Sequence, residues 1–309
     1  MKELAAFIIT FHRPHCVREY ILSLLGQTLV PETILVLDNG SDEQTRAVVL
    51  SFQREGAPVR YVGLGDNMGP AGAANVGLDR LVGDGYTWIL WGDDDNPPGS
   101  KTALEELVTL PGRYHNPASV GAVGLTGGRF NWRTGRLSNL VEADLKGIVE
   151  VDVVGGGWQL LVHRRAVESV GLPAAELFFG FEEGEYCLRI RKAGFSILVD
   201  GDDLRRRREE MGKLGLPARY RDPRKAGDAT RLWRSYYSTR NYTYMMAHTY
   251  HRTDLVLREM GRAIARSAFA LRHGPGYSRR VLAAQTRGLW DGCWGRMGRT
   301  QESVTKSHC

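Results

Sequence analysis

The stretch YTWILWGDDDNPP, residues 86–98, decides the fold because a strand pattern in it runs directly into a row of carboxylates. Residues 86–91 are all aromatic, aliphatic or β-branched, which predicts a β-strand. Three aspartates follow at 93–95, and two prolines at 97 and 98 end the pattern. An apolar strand of this kind predicts burial on both faces of a sheet.

Short apolar strands alternate with helical patterns on the N-terminal side of this stretch. Strands are predicted at 5–10, 33–38 and 58–64, and helices at 15–27, 45–55 and 71–83. This alternation is typical of a parallel sheet that is covered by helices. We predict an α/β fold with a mostly parallel, Rossmann-like sheet, followed by a C-terminal helical extension.

The charge of the 309-residue chain changes sign along its length. Residues 1–200 carry 18 basic and 25 acidic side chains, and residues 201–309 carry 23 and 10, so the formal net charge of +6 hides an acidic part and a basic part. The ordinary apolar and charged fractions exclude a disordered or collagenous chain. Nucleic acid is a disfavoured partner because the acidic part repels a polyanion.

Targeting signals and cysteine pairs are not evident in the sequence. No apolar run approaches the ~20 residues that cross a bilayer, and His12 and Arg13 interrupt the start before a signal peptide could form. Four cysteines without a CxxC pair indicate neither a disulfide framework nor a zinc site. We expect a cytoplasmic protein.

The carboxyl ends of the predicted strands supply the candidate site, since ligands of open α/β sheets bind there. Asp93–Asp95 favours a divalent cation over a solvated acidic turn, because adjacent carboxylates repel one another and Mg²⁺ takes oxygen ligands. Asp38 is either a nucleotide acceptor or part of an Asn-Gly turn. Arg13 suits a phosphate, although a surface arginine has the same appearance.

Two further segments combine glycines or aromatics with polar groups. Asn67–Gly77 is small and Gly-rich where a helix begins, which suits either close approach to an anionic ligand or close helix packing. Glu176–Arg189 places aromatic residues before Glu182, Glu183 and Glu185. Partial desolvation there makes a carboxylate a better general base, and acids also favour a helix N-terminus.

Taken in order, these motifs resemble those of inverting GT-A glycosyltransferases of family two, in particular the rhamnosyltransferase and galactofuranosyltransferase branch. The resemblance covers about residues 5–200 and extends weakly to 233–241 and 287–292. It rests on the stretches Thr10–Pro14, Gln27–Thr28, Leu37–Ser41, Asn67–Gly77, Asp93–Asp95, Gly155–Gly157 and Phe181–Arg189.

The resemblance implies transfer of a sugar from a UDP- or dTDP-linked donor to a glycan, glycolipid or small-molecule acceptor, with Mg²⁺ or Mn²⁺ as cofactor. It assigns 1–203 to donor binding and catalysis, and 204–309 to acceptor, membrane or dimer contacts. Asp93 and Asp95 are the implied metal ligands. The implied donor contacts are Thr10, Arg13, Asp38, Asn67, Gly69, Asn75, Asp93 and Asp94; the implied acceptor contacts are Trp158 and Glu185.

The implied catalytic base is Glu183, with Glu182 beside it, where the family usually has aspartate. A glutamate reaches about one methylene further, so Glu182 or Glu185 remains an alternative base. The histidine that completes the metal sphere in many relatives is missing from 201–208, and the next histidines are His248 and His251. The expected mechanism is a single displacement with inversion.

The basic C-terminal part contains two patterns. Residues 204–225 are rich in arginine and indicate either a mobile loop near the site or a solvated stretch. Residues 253–272 predict a helix with an apolar row and with Arg258, Arg262 and Arg266 at i, i+4 spacing. Such a helix can lie on an anionic membrane, cover the sheet or form a dimer.

Two other functions are compatible with parts of the pattern. A nucleotidyltransferase on a similar α/β core also uses paired acids and a metal, but it releases pyrophosphate and usually has a Gly-rich loop after the first strand. A non-catalytic polyanion-binding protein would use the basic C-terminal part, in which no recognised nucleic-acid motif occurs.

Overall fold

The four predicted parallel strands form one half of an eight-stranded sheet. In a computed structural model, which describes residues 2–155, 159–212 and 232–300, these strands are adjacent in the order β3-β2-β1-β4. All three pairings between them are parallel. Their bounds are β1 (Lys2–Thr10), β2 (Thr33–Asp38), β3 (Val59–Gly63) and β4 (Tyr86–Asp93).

Helices cover both faces of this half, as the apolar strands predict. Their bounds are α1 (Pro14–Leu25), α2 (Glu43–Arg54) and α3 (Gly69–Gly83). Along β1, Leu4, Ala6 and Ile8 pack with α1 and α2, whereas Phe7 and its neighbours at 5 and 9 pack with α3. Two hydrophobic cores, one on each face, therefore hold the carboxyl ends of the strands in place.

The second half of the sheet is mixed. A strand that the sequence analysis did not predict, β9, lies antiparallel between β4 and β5, and the sheet continues through β10 to β8. These elements are β5 (Val120–Val123), the hairpin β6 (Gly128–Asn131) and β7 (Arg136–Asn139), β8 (Ile148–Val151), β9 (Leu160–His163) and β10 (Ser196–Asp200). The helices of this half are α4 (Ala103–Thr109), α5 (Arg164–Val170) and α6 (Glu182–Lys192).

The expected loop from residue 204 begins as a helix. α7 spans Gly201–Glu210, so the loop expectation is wrong for residues 204–210, and the predicted domain change at 203/204 falls inside a helix. The Asp200 carboxylate caps this helix by accepting from the Asp203 N–H, and Arg207 and Arg208 occupy its last turn. Residues 213–225 lie outside the described residues.

Within residues 232–300, three α-helices belong to the predicted extension: α8 (Leu232–Tyr244), α9 (Thr253–Phe269) and α10 (Pro275–Cys293). α10 approaches α8 closely at two glycines. A Cβ on Gly292 would lie 2.5 Å from the Arg240 carbonyl oxygen, and one on Gly288 would lie 2.8 Å from that of Tyr236. None of the helices in the described part of the chain has both the length and the apolar character needed to cross a membrane.

Candidate active site

The parallel register brings three predicted site residues to one edge of the sheet. Thr10 is paired with Asp38 across β1 and β2, and Ile9 is paired with Asp93 across β1 and β4. The strand ends therefore meet at a common edge, as expected for this fold.

Asp94, the middle of the three aspartates, is held by its neighbours. The Thr10 hydroxyl donates to Asp94 Oδ2 at 2.6 Å, and Arg13 Nη1 donates to Asp94 Oδ1 at 3.0 Å. The same guanidinium nitrogen lies 3.4 Å from Asp95 Oδ2. Asp94 thus anchors Arg13 at the edge of the sheet. Asp93 and Asp95 lie on either side of Asp94 in the sequence.

Asp93 lies where negative charges accumulate. Burial raises the pKa of its carboxyl well above 3.8, and the carboxylates of Glu183, Asp95 and Asp94 raise this pKa further, against a smaller lowering by Arg13. Negative charge that the protein does not balance favours a bound cation.

Glu182 and Glu183 begin α6 and are both buried. Burial raises the pKa of each glutamate well above 4.5; the charge of Asp93 adds to the effect on Glu182, and that of Glu182 to the effect on Glu183. Among the described residues, no side chain or backbone group donates a hydrogen bond to Glu182 Oε2. The pair therefore exchanges a proton much closer to neutral pH than an ordinary glutamate does.

The loop before this pair is fixed from α8. Asn241 Nδ2 donates to the carbonyl oxygens of Leu177, Phe179 and Gly180 at 2.7–3.0 Å. Arg240 is fully buried, and its Nη2 donates to the Leu177 carbonyl at 2.7 Å. These bonds hold a loop in which Phe178 and Phe181 have φ angles of +60° and +70°, which are unfavourable for L-residues.

Asn67 and Gly69 form the opposite wall. Asn67 Oδ1 accepts from the Gly69 N–H at 2.9 Å, and Asn39 Oδ1 accepts from the Met68 N–H at 3.0 Å. Gly69 has a φ of +70°, and a Cβ there would lie 2.1 Å from the Phe178 carbonyl oxygen. This glycine is needed for the close approach of the Asn67 segment to the loop before α6.

These residues line one cleft of about 430 Å³. It brings together nine residues of the predicted site: Thr10, Arg13, Asn67, Gly69, Asp93, Asp94, Asp95, Glu182 and Glu183. Three others, Asp38, Asn75 and Glu185, do not line it, and Trp158 lies outside the described residues.

Asp38 has the turn role that the sequence analysis left open. It is fully buried. Its two carboxylate oxygens accept from the N–H groups of Gly40 and Asp42 at 2.8 and 2.7 Å, and from the Tyr61 hydroxyl at 3.0 Å. Asp38 does not line the cleft, whereas its neighbour Asn39 does, and the donor contact implied for Asp38 stays a prediction.

Asn75 and Glu185 point away from the cleft. Asn75 Nδ2 donates to the Pro173 carbonyl at 2.8 Å, because its position on α3 faces the segment before α6. Glu185 is buried against Arg189, whose Nε and Nη2 donate to its two oxygens at 2.8 and 2.9 Å. Neither residue lines the cleft, and the donor contact implied for Asn75 and the acceptor contact implied for Glu185 stay predictions.

Trp233 and Arg234 also line the cleft, and the sequence analysis did not include them among the site residues. They begin α8, in the 233–241 stretch to which the resemblance extends only weakly. The weak resemblance at 233–241 was the sequence signal that could have identified these two residues. The site therefore combines the sheet edge with a C-terminal helix, and the acidic and basic parts of the chain share it.

The residues fit a divalent cation that is shared with a substrate. Among the described residues no group of three or more His, Cys, Asp or Glu could hold a metal ion alone, and neither His248 nor His251 lines the cleft. Mg²⁺ is commonly bound by one or two carboxylates together with substrate phosphates. Five carboxylates and two guanidinium groups line this cleft, so an anionic diphosphate needs a cation there.

The family model described as glycosyl transferase family 2 matches residues 5–158, which include β1–β4 and the three aspartates. The chain belongs to glycosyl transferase family 2. The matched region ends before α6, so the structure, rather than the family model, places Glu182 and Glu183 beside Asp93.

Relatives of this chain carry glycosyltransferase names. It is 27% identical over 207 residues to galactofuranosyltransferase GlfT1 of Mycolicibacterium smegmatis, covering 62% of this chain and 66% of that protein. It is 32% identical over 98 residues to a GalNAc(5)-diNAcBac-PP-undecaprenol beta-1,3-glucosyltransferase of Campylobacter jejuni, covering 31% of this chain and 30% of that protein. The chain spans just under two thirds of the length of the GlfT1 proteins it matches.

The predicted GT-A fold is confirmed by a solved structure. The mannosyltransferase PcManGT of Pyrobaculum calidifontis, in complex with GDP-Man and Mn²⁺, superposes with a TM-score of 0.55 at 14% identity, covering 93% of this chain and 87% of that one. At this identity the likeness is one of fold.

Proposed function

We propose that the chain moves a sugar from a UDP- or dTDP-linked donor to an acceptor hydroxyl, by a metal-dependent single displacement with inversion. The observation that carries this proposal is that Glu182 and Glu183, buried and raised in pKa, share one cleft with Asp93 and Asp95. Membership of glycosyl transferase family 2 supports the reaction class.

The diphosphate of the donor would lie at Asp93 and Asp95, the residues that would hold a Mg²⁺ or Mn²⁺ ion together with it. When bound, the ion stabilises the negative charge that develops on the leaving diphosphate. Arg13, fixed by Asp94, supplies a further positive group, and Arg234 lies on the same cleft. Asn39 and the Asn67–Gly69 segment form the wall for the nucleoside.

Glu183 is the base in this proposal. It removes the proton of the acceptor hydroxyl as the hydroxyl oxygen forms a bond to the anomeric carbon, on the side opposite the diphosphate. The bond from that carbon to the phosphate oxygen breaks, its electron pair leaves with the nucleoside diphosphate, and Glu183 passes the proton to solvent. Glu182 strengthens the base, since its charge raises the pKa of Glu183.

The acceptor approaches from the other side of the first turn of α6. A cavity of about 700 Å³ lies there, between that turn, the hairpin β6–β7, α8 and α9. Phe181 and Gly184 line this cavity, while Glu182 and Glu183, between them in sequence, line the donor cleft. A glycan, glycolipid or small molecule in the cavity would lie next to the turn that carries the glutamates, and its reacting hydroxyl would have to extend past that turn into the donor cleft.

The test is a transfer assay with UDP- and dTDP-linked sugars, Mn²⁺ and a panel of acceptor glycans. We expect release of nucleoside diphosphate and, by NMR, a product with inverted anomeric configuration. Release of pyrophosphate would show a nucleotidyltransferase instead, and retained configuration would overturn the single displacement. Activity that survives exhaustive chelation would remove the metal from the proposal.

An aspartate variant tests the metal ligands directly. Asp95→Asn should weaken Mn²⁺ binding in the presence of nucleoside diphosphate by about tenfold or more, since it removes one of two charged ligands. Titration calorimetry measures this affinity. Asp79→Asn, an exposed aspartate on α3 outside the cleft, is the matched control and should leave Mn²⁺ binding unchanged.

A further inference from the structure

The outward face of α9 is apolar. Leu257 and Ile264 on this helix are each 67% exposed, and Leu271, in the helical turn that follows, is 59% exposed. Met260 and Phe269 are exposed as well. Large side chains at i, i+7 and i+14 lie on one side of a helix, so they form a continuous apolar strip.

Three charged side chains of α9 form ion pairs on its inner face, whereas Asp254 and Arg258 are exposed. Arg262 and Arg266 both form ion pairs with the buried Glu259, and Arg266 Nε also donates to Gln285 Oε1 of α10 at 3.0 Å. The inner face also buries Leu255, Val256 and Ala263, whereas the outer face of a surface helix in a soluble domain is normally polar. The apolar strip is therefore not needed to fix α9 to the rest of the chain.

Exposed cations accompany this strip. Of the six arginines at 260–290, Arg262 and Arg266 pair with Glu259 and Arg287 pairs with Asp291, so these three do not belong to the outer surface. Arg258 and Arg272 are exposed at the two ends of the strip, and Arg279 and Arg280 are exposed at the start of α10. A partner of this surface should combine apolar material with negative charge.

We propose that the outward face of α9 docks the chain on the surface of an anionic lipid bilayer. Leu257, Ile264 and Leu271 would enter the boundary between headgroups and acyl chains, with Arg258 and Arg272 on the anionic headgroups. A second copy of the chain is a poorer occupant, because a symmetric contact would place the same arginines opposite one another. This inference does not depend on the proposed glycosyl transfer.

The test is flotation of the full chain with vesicles, which needs no sugar donor. The chain should float with vesicles of equimolar phosphatidylcholine and phosphatidylglycerol and bind phosphatidylcholine alone more weakly. Leu257→Gln with Ile264→Gln should weaken binding to the mixed vesicles by about tenfold or more, because two exposed aliphatic side chains no longer enter the bilayer. Arg258→Gln with Arg272→Gln should reduce the preference for anionic vesicles by on the order of tenfold.

Matched variants on other helices control for general changes of the surface. Leu22 and Leu50 are exposed leucines on α1 and α2, and Leu22→Gln with Leu50→Gln should leave flotation unchanged. Equal loss in both double variants, or no flotation of the unmodified chain with the mixed vesicles, overturns the proposal. So does a dimer in light scattering that Leu257→Gln with Ile264→Gln dissociates, since the strip would then be a contact between copies.

Discussion

Three glutamates in the first turn of α6 are all buried, yet their surroundings are opposite. Glu185 faces Arg189, which donates to both of its oxygens and also to the carbonyl oxygens of Val170 and Leu172. Glu182 and Glu183 face the cleft, and no ion pair to either occurs among the described residues. A paired carboxylate fastens a helix, whereas an unpaired one in a cleft has a raised pKa and can exchange a proton.

Glu183→Gln should have the largest effect on transfer. The amide has nearly the same shape but cannot accept the proton, so the rate at saturating donor should fall by about 10²–10⁴-fold. Steady-state kinetics measures the rate, and calorimetry should show donor affinity near that of the unmodified chain. Glu185→Gln is the control and should keep its rate per folded molecule. A large loss in Glu182→Gln with little in Glu183→Gln would move the base to Glu182.

The contrast on α6 also depends on the loop that precedes it. Asn241→Ala removes the amide that donates to three loop carbonyls, so the loop and Glu183 shift relative to the donor. We expect the rate at saturating substrates to fall by about tenfold to a hundredfold, since small displacements of a catalytic group are costly.

Tyr236→Phe separates positioning from general loosening of α8. It removes a hydrogen bond of 2.7 Å to Asp291 of α10 and a side-chain contact with Arg240, but it leaves the three bonds from Asn241 to the loop in place. Its transfer rate should stay near that of the unmodified chain. An equal loss of rate in Asn241→Ala and Tyr236→Phe would mean that Asn241 acts only by holding α8 together.

The residues at the edge of the sheet were predicted well because the sequence patterns that indicate them, apolar runs and their ends, are local. The first four strands and the three aspartates follow from apolar runs and their ends, and β2 has the predicted bounds, 33–38. Roles that depend on which way a side chain points were less predictable. Asp38 and Asn75 sit in motifs of the right type, but a turn and a helix face direct them away from the cleft.

Contacts between segments that are distant in the sequence also limited the prediction of the site. Trp233 and Arg234 reach the cleft only because α8 packs against the loop before α6, which no local pattern states. In α9 the spacing predicted the apolar row and a row of three arginines, but it left open which row faces the rest of the chain. Arg262 and Arg266 face Glu259, so the apolar row and part of the charge lie on opposite sides of the helix.

The pH dependence of transfer distinguishes the charge of Glu182 from its bulk. A base with a raised pKa becomes active as pH rises through that pKa, so kcat/KM should increase with pH. Glu182→Gln removes the negative charge that helps to raise the pKa of Glu183, and the rising limb should therefore move to lower pH. Burial of Glu183 still keeps the pKa of its carboxyl above 4.5 in this variant. An unmoved limb in Glu182→Gln, or an equal movement in Glu185→Gln, would contradict this coupling.

The smallest effects are those on stability, and they should differ in sign. A carboxyl whose pKa is raised by folding favours the native state below its unfolded pKa, and this contribution is lost as pH rises through the folded value. At pH 8 without metal, Glu183→Gln should thus increase the free energy of unfolding, by about 1 kcal/mol. Glu185→Gln should decrease it by about 1–3 kcal/mol, because two charge-assisted hydrogen bonds with Arg189 are weakened. Urea unfolding at pH 5 and pH 8 measures the free energy of unfolding of both variants. The gain in this free energy from Glu183→Gln should be smaller at pH 5 than at pH 8. If both variants destabilise the chain equally at pH 8, the burial of Glu183 is compensated in the native state, and the contrast between the two glutamates is lost.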